Sequence, residues 1–194
     1  MPKRDANHMQ AQRERILRAA IYCISNVGLE RTSVSAISKE AGLSAGALYN
    51  HFASKDAIVA EALRFAAMTE EMLPANWATW KADITSFDDQ MGFSVETIAR
   101  AKAQLLANIM RPGELHDVVK PLNEASLAML ATHLEKLAAR GEVALKMTPR
   151  QTVQALSAVA DGIVLLGLSL DRPLSEIADD IAAAVDCLVT SRAS

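Results

Sequence analysis

Ala41-Gly42-Leu43-Ser44-Ala45-Gly46-Ala47-Leu48-Tyr49-Asn50-His51-Phe52-Ala53-Ser54-Lys55-Asp56 is the stretch that decides the fold. Ser44 and Ser54 each precede apolar residues at helical spacing. A serine at such a place accepts a hydrogen bond from a free backbone N–H of the first turn. Gly42 fits a helix C-terminus, where a left-handed backbone is needed. Just upstream, Ser33 can cap a short helix carrying Val34, Ile37 and Ala41 on one face. Residues 32–56 therefore read as helix, tight turn and second short helix, the layout of a helix-turn-helix. Ala41 and Gly42 are small where two helix ends approach, and Leu43 points back into the core. The second helix, residues 45–51, is about 10 Å long at about 1.5 Å per residue. With Ala45, Gly46 and Ala47 at its start, it is slim enough for a major groove about 12 Å wide.

The flanking sequence extends the helical reading. Ile16, Ala20, Cys23, Ile24 and Val27 recur at helical spacing before Gly28, and Ile58, Ala62, Phe65 and Ala66 do so after Ser54. Later patterns cover residues 93–110, stopping at Pro112-Gly113, and residues 121–140, stopping at Gly141. Thr148-Pro149-Arg150-Gln151 is a helix start, with a cap, a proline at the first position and a capping-box glutamine. That helix runs to about residue 170, and a turn at residues 171–173 opens a last one to about residue 190. Composition agrees: 35 of 194 residues are Ala and 22 are Leu, against 4% aromatics, which favours helix over sheet. The expected class is all-α, with about nine helices.

Net charge is −3, but it is divided. Residues 1–65 hold nine Lys/Arg and six Asp/Glu, for +3, while residues 66–194 hold eleven and seventeen, for −6. A basic N-terminal third on an acidic remainder points to two tasks in one chain. Cys23 and Cys187 fall in separate apolar patterns, so a disulfide framework is not expected and a reducing cytoplasm fits. No stretch of 18 residues lacks a charge, so no membrane span is expected. Residues 1–12 are polar, with no apolar run after Lys3-Arg4, so no signal peptide is expected.

The quoted stretch resembles the signature of the tetracycline-repressor (TetR) family, and Gly28, Thr32-Ser33-Val34 and Ile37 also fall in that pattern. The resemblance covers about residues 13–65. It implies a helix-turn-helix DNA-binding domain over residues 1–53, with a flexible arm at 1–11. It implies a ligand-binding and dimerisation domain over 54–194, whose first helix links the two. The implied DNA-contacting residues are Thr32, Ser33, Ser44, Ala45, Gly46, Ala47, Tyr49, Asn50, His51 and Lys55. Thr32 and Ser33 sit at a helix start, where hydroxyls and free N–H groups suit a phosphate. Tyr49 and Lys55 would hold the backbone, while Ala45, Ala47 and Asn50 would face base edges. Asn reads adenine by two hydrogen bonds and Ala touches a thymine methyl. His51 either reaches a phosphate or caps the helix end. The recognition helix has no Arg or Lys, so shape readout or a minor-groove contact by Lys3 and Arg4 would supplement it.

In the C-terminal part, the last two helices are rich in apolar residues. The resemblance implies a two-fold homodimer through Leu156, Ile163, Gly167, Ile177, Ile181, Val185 and Leu188, a four-helix bundle that would set two recognition helices one DNA turn apart. A small-molecule effector would lie among Met68, Met72, Trp77, Trp80, Leu106, Met110, His116 and Met129, because methionines adapt to varied apolar shapes. Arg111 and His116 would anchor a polar end.

Catalysis is not expected. His8, His51, His116 and His133 lie in no metal-ligand spacing, and no GxSxG or GxxxxGK is present. No cofactor and no metal are expected. The function implied is a ligand-responsive regulator, a repressor released from a palindromic operator by its effector. The alternative is a helical effector- or partner-binding protein that kept the fold without sequence-specific DNA binding.

Overall fold

The computed structural model describes residues 3–67, 69–86, 92–110 and 112–192. Among them are nine α-helices: α1 (Lys3–Val27), α2 (Val34–Ala41), α3 (Ala45–Tyr49), α4 (Lys55–Ala66), α5 (Trp77–Thr85), α6 (Val95–Ile109), α7 (Glu114–Ala139), α8 (Pro149–Ser169) and α9 (Leu174–Leu188). Two short strands, β1 (Val143–Leu145) and β2 (Val189–Ser191), pair antiparallel. The all-α expectation holds, with this ribbon as an addition. The chain divides into two compact units, residues 1–67 with 96–120, and residues 68–95 with 121–194. This division keeps α4 with α1–α3, whereas the functional boundary expected from sequence fell at residue 53.

In the first unit α1 packs against α2 and α4, and α2 against α3. α1 is helical from Lys3, so the stretch expected to be a flexible arm through residue 11 is helix instead. Residues 3–27 contain no Gly or Pro to break it. The side chains of Lys3 and Arg4 lie outside what is described. Ile16, Ala20 and Ile24 of α1 are buried with Ile37, Leu48 and Ile58. Burying a side chain such as Leu48 contributes about 1.5–3 kcal/mol. The three serine caps form as the sequence indicates: Ser33, Ser44 and Ser54 accept from Ala36, Ala47 and Ala57 N–H, each at 3.1 Å. Each such cap contributes about 1 kcal/mol. Gly42, at φ 62°, ends α2 in the left-handed region, and Leu43 N–H bonds Ser38 O at 2.9 Å. This turn gives the helix-turn-helix its bend. The Arg15 guanidinium adds a bond of 2.6 Å to Ala41 O, satisfying a carbonyl at the end of α2.

In the second unit α9 packs on α8 and α5. Leu134, Leu137, Val153, Leu156, Ile177, Ile181, Val185 and Val189 form a core with Trp77 and Trp80. The capping box at α8 is complete, with Gln151 N–H on Thr148 Oγ1 at 3.3 Å and Thr148 N–H on Gln151 Oε1 at 3.2 Å. The last helix stops at Leu188, not near residue 190 as its pattern suggested. β-Branched Val189 and Thr190 take extended backbone, Val189 is fully buried, and Thr190 pairs with Ala144. α7 begins at Glu114, seven residues before the start expected at Pro121. Proline there leaves Asp117 without its usual intrahelical donor.

α8 bears on two expectations. By length and composition alone it could cross a membrane, with mean hydropathy 1.5 over an 18-residue window of which 22% is buried. Asp161 lies within this helix. Most residues expected at a dimer interface are instead inside the protomer. Leu156, Gly167, Ile177, Ile181 and Val185 are buried, and Ile163 and Leu188 pack against the same core. The apolar stripes of α8 and α9 face each other. The large apolar side chains left exposed here are Leu166 of α8 and Leu170, which follows its last residue, each 62% exposed.

Candidate nucleic-acid interface

α3 buries one side chain, Leu48, and presents the rest of its short length outward. Ser44, Ala45, Gly46, Tyr49 and Asn50 are exposed and Ala47 is half-buried. Tyr49 is 59% exposed, so its ring stands mostly clear of the domain. Asn50 closes α3, with its side chain outward. A Cβ built on Gly46 would find Ser44 Oγ at 3.9 Å as its nearest contact. The fold therefore has room for a side chain there, although glycine weakens a helix by about 1 kcal/mol relative to alanine. Close approach from outside the chain would account for the smallest residue. Arg31 and Lys39 are exposed nearby and enter none of the ion pairs seen among the described residues.

Three expected contacts are redirected. Thr32 is buried, and its hydroxyl donates to Gly28 O at 2.7 Å, so it closes the turn after α1 rather than facing a phosphate. Lys55 is half-buried and its Nζ donates to Leu29 O at 3.3 Å, bracing the same turn. His51 neither caps its helix nor faces outward. Its Nε2 meets Gln12 Oε1 at 3.2 Å, and its carbonyl accepts from Arg13 at 3.2 Å. The Arg13 guanidinium lies 4.4 Å over the Phe52 ring and pairs with Glu61 at 3.2 Å. Gln12, Arg13 and Arg15 were not singled out from the sequence. The available signal was that Arg13 and Gln12 lie one turn before Ile16, on the buried side of α1.

The effector candidates fall on both compact units. Leu106 on α6 and Met110 just after it are exposed, and His116 is half-buried with its ring 3.1 Å from Asp117 Oδ1. In the other unit, Met72 is exposed and Met129 half-buried. Trp77 and Trp80 are core residues, 5.8 Å apart edge to face. Trp77 has both N–H groups engaged, the backbone by Glu142 at 2.8 Å and the indole by Ser191 at 2.9 Å. It also lines a surface recess of about 690 Å³ with Lys81, Thr85, Glu142, Ser191 and Arg192. Met68 and Arg111 lie outside the described residues.

Residues 16–62 match the family model described as bacterial regulatory proteins, tetR family. Over 58 residues the chain is 36% identical to the HTH-type transcriptional repressor Rv1474c of Mycobacterium tuberculosis, covering 30% of this chain and 31% of that one. Over 64 residues it is 34% identical to the HTH-type transcriptional regulator BetI of Stenotrophomonas maltophilia, covering 33% of this chain and 32% of that one. The aligned stretches thus span under a third of these relatives' length. Across its length the fold is shared with reduced NemR of E. coli, at TM-score 0.75 and 20% identity, covering 94% of this chain and 100% of that one. It is also shared with a transcriptional regulator of Saccharomonospora viridis in complex with choline, at TM-score 0.71 and 17% identity, covering 94% and 100%. The N-terminal match and the shared fold lead to one conclusion: residues 16–62 form a helix-turn-helix similar to that of the tetR family of bacterial regulatory proteins, in a chain that shares the helical fold of these two solved structures.

Proposed function

We propose that the chain is a cytoplasmic, ligand-responsive transcriptional repressor that binds a palindromic operator as a homodimer. The observation that carries the DNA reading is the outward face of α3, where Ala45, Gly46, Tyr49 and Asn50 are exposed and Gly46 has no internal reason to be glycine. Residues 1–53 supply the reading head and residues 54–194 the sensor and dimer body. Ser33 and Ser44 cap helices whose first N–H groups suit phosphates, and Tyr49 directs its phenol to the backbone. Ala45, Ala47 and Asn50 meet base edges. Thr32, Lys55 and His51 act at one remove, by fixing the turn and the end of α3.

The dimer face we infer is the outer side of α8, through Leu166 and Leu170 rather than the residues already spent on the protomer core. An exposed apolar stripe is better explained by a partner helix than by solvent. A small molecule held by the second unit would favour a dimer state whose recognition helices no longer match successive grooves, and by linkage it and DNA weaken each other equally. That a neighbour of the same fold was solved with choline supports a small-molecule site in this architecture.

Gel-shift titration with the DNA flanking its own gene tests the reading. A salt-sensitive, sequence-specific complex is expected. Absence of any specific complex would favour a helical partner-binding protein. Native mass spectrometry of the purified chain tests dimer and ligand together, and Leu166→Glu is expected to shift dimer to monomer.

A further inference from the structure

Two consecutive residues of α1 grip one residue at the end of the recognition helix. Gln12 Oε1 takes the His51 ring at Nε2, and Arg13 takes the His51 carbonyl. His51 follows directly on Asn50, the residue offered to base edges, so the grip fixes where α3 ends. Gln12 has a second engagement. Its Nε2 lies 3.1 Å from His8 Nε2, one turn earlier on α1. His8, Gln12 and His51 thus form a hydrogen-bonded chain with a glutamine amide in the middle.

The polarity of that chain is limited by chemistry. The Gln12 amide has one acceptor oxygen and one donor nitrogen. As arranged, the nitrogen donates to His8, which must be neutral with its proton on Nδ1, and the oxygen accepts from His51. Protonating His51 alone leaves both bonds intact. Protonating His8 alone turns its Nε2 into a donor. The amide can then turn over, offering its oxygen to His8 and its nitrogen to a neutral His51. With both rings protonated there are two donors and one acceptor, and one bond is lost. The charged groups around the clamp are Arg13 on α1 and Glu61 on α4, which pair with each other, while Lys55 of α4 is turned to Leu29. None of these supplies the missing acceptor.

We propose that Gln12 is a positioning residue for the recognition helix, and that the His8–Gln12–His51 chain makes operator discrimination depend on pH. This rests on the DNA-binding reading above. Histidine is the side chain whose charge ordinarily changes between about pH 5 and 8. Acidification therefore sets His8 and His51 in competition for the one Gln12 oxygen, which weakens the hold on the end of α3, while the added positive charge strengthens binding to any DNA. The two effects separate when the readout is the ratio of specific to non-specific affinity rather than either constant alone.

The test measures that ratio for the full-length protein between pH 7.5 and 5.5. For the wild type it is expected to fall about three- to tenfold, the worth of one hydrogen bond. Gln12→Ala should start lower by a similar factor and be flat. His8→Ala should keep the wild-type value at pH 7.5 and stay flat, because the remaining Gln12–His51 bond survives protonation. Gln12→Glu should reverse the slope, since a carboxylate accepts from both protonated rings. A second readout needs no DNA: the ring-nitrogen resonances of His51 in the free protein should move in Gln12→Ala. Unchanged His51 resonances overturn the clamp, and changed resonances with an unchanged ratio overturn its positioning role. A wild-type chain without any specific complex overturns the DNA reading instead, and with it the pH-dependent discrimination; the clamp is then decided by the ring resonances.

Discussion

Gly167 of α8 lies so close to Ile177 of α9 that a Cβ built on it would sit 2.5 Å from both Ile177 Cδ1 and Cγ1. Gly167 and Ile177 are both buried, so the clash has no solvent to relax into. Gly167→Ala is expected to destabilise the protein by about 1–3 kcal/mol through overpacking, against a helix-propensity gain of about 1 kcal/mol. Gly162→Ala, on the same helix but exposed and with nothing within 4 Å of its Cβ, is expected to be neutral or mildly stabilising. Urea unfolding of both at one protein concentration checks the contrast. Equal effects would mean that the two helices pack less closely at Gly167.

Gly46 gives the opposite test, because its constraint is external. Gly46→Ala should fold at least as stably as the wild type. Gly46→Leu should also fold, yet lose more than about tenfold in operator affinity, or about 1.4 kcal/mol, as the side chain obstructs the groove. Operator binding by Gly46→Leu at the wild-type level would show that α3 does not enter a groove by this face.

Tyr49, Asn50 and Lys55 should separate by the kind of loss. Asn50→Ala should relax preference at one base pair per half-site, at a cost of about 1–3 kcal/mol for the preferred base. Tyr49→Phe should weaken binding evenly across sequences. Lys55→Ala should do so as well, with some loss of stability from the freed Leu29 carbonyl. Selection of bound sequences from a random pool reads all three. A shifted base preference in Tyr49→Phe would reassign the phenol from phosphate to base.

The two thiols should differ in reactivity. Cys187 is exposed and Cys23 buried, and burial, then the charge of Glu40, hold the Cys23 thiol above the ordinary range. Alkylation at neutral pH should modify Cys187 quickly and Cys23 only on unfolding. With its folded value raised, Cys23 contributes stability that is full below the unfolded value and is lost as pH rises through the folded one. Cys23→Ala should therefore show a flatter alkaline limb in stability. Equal labelling of both thiols in the native protein would contradict the burial.

The helix-turn-helix was legible because its signals are local. Ser33, Ser44 and Ser54 cap within three residues, and Gly42 sets the turn with its own backbone. What was misread depends on where other elements end or lie. Thr32 has a hydroxyl suited to phosphate, but Gly28 O lies within reach only once α1 has ended there. The His51 clamp joins residues 39 apart in the chain, which no periodic pattern registers. The apolar stripes of α8 and α9 were correctly found, but periodicity alone does not tell whether a stripe meets its own chain or another. The ribbon was missed because Val189 and Thr190 continue the apolar spacing of α9 and become a strand only against β1.

The division of the chain bears on how it is made. Neither compact unit is continuous: the first needs residues 1–67 and 96–120, and the second residues 68–95 and 121–194. The Trp77 indole is matched by Ser191, 114 residues later. At synthesis rates of about 5–20 residues per second, Trp77 waits roughly 6–23 s for that partner. Over the same interval its ring lacks Val189 and the α9 side of the core. A ribosome therefore releases the reading helices early but the second unit only near the end of translation. Its two tryptophans are the apolar surface a nascent chain must keep from its neighbours until then.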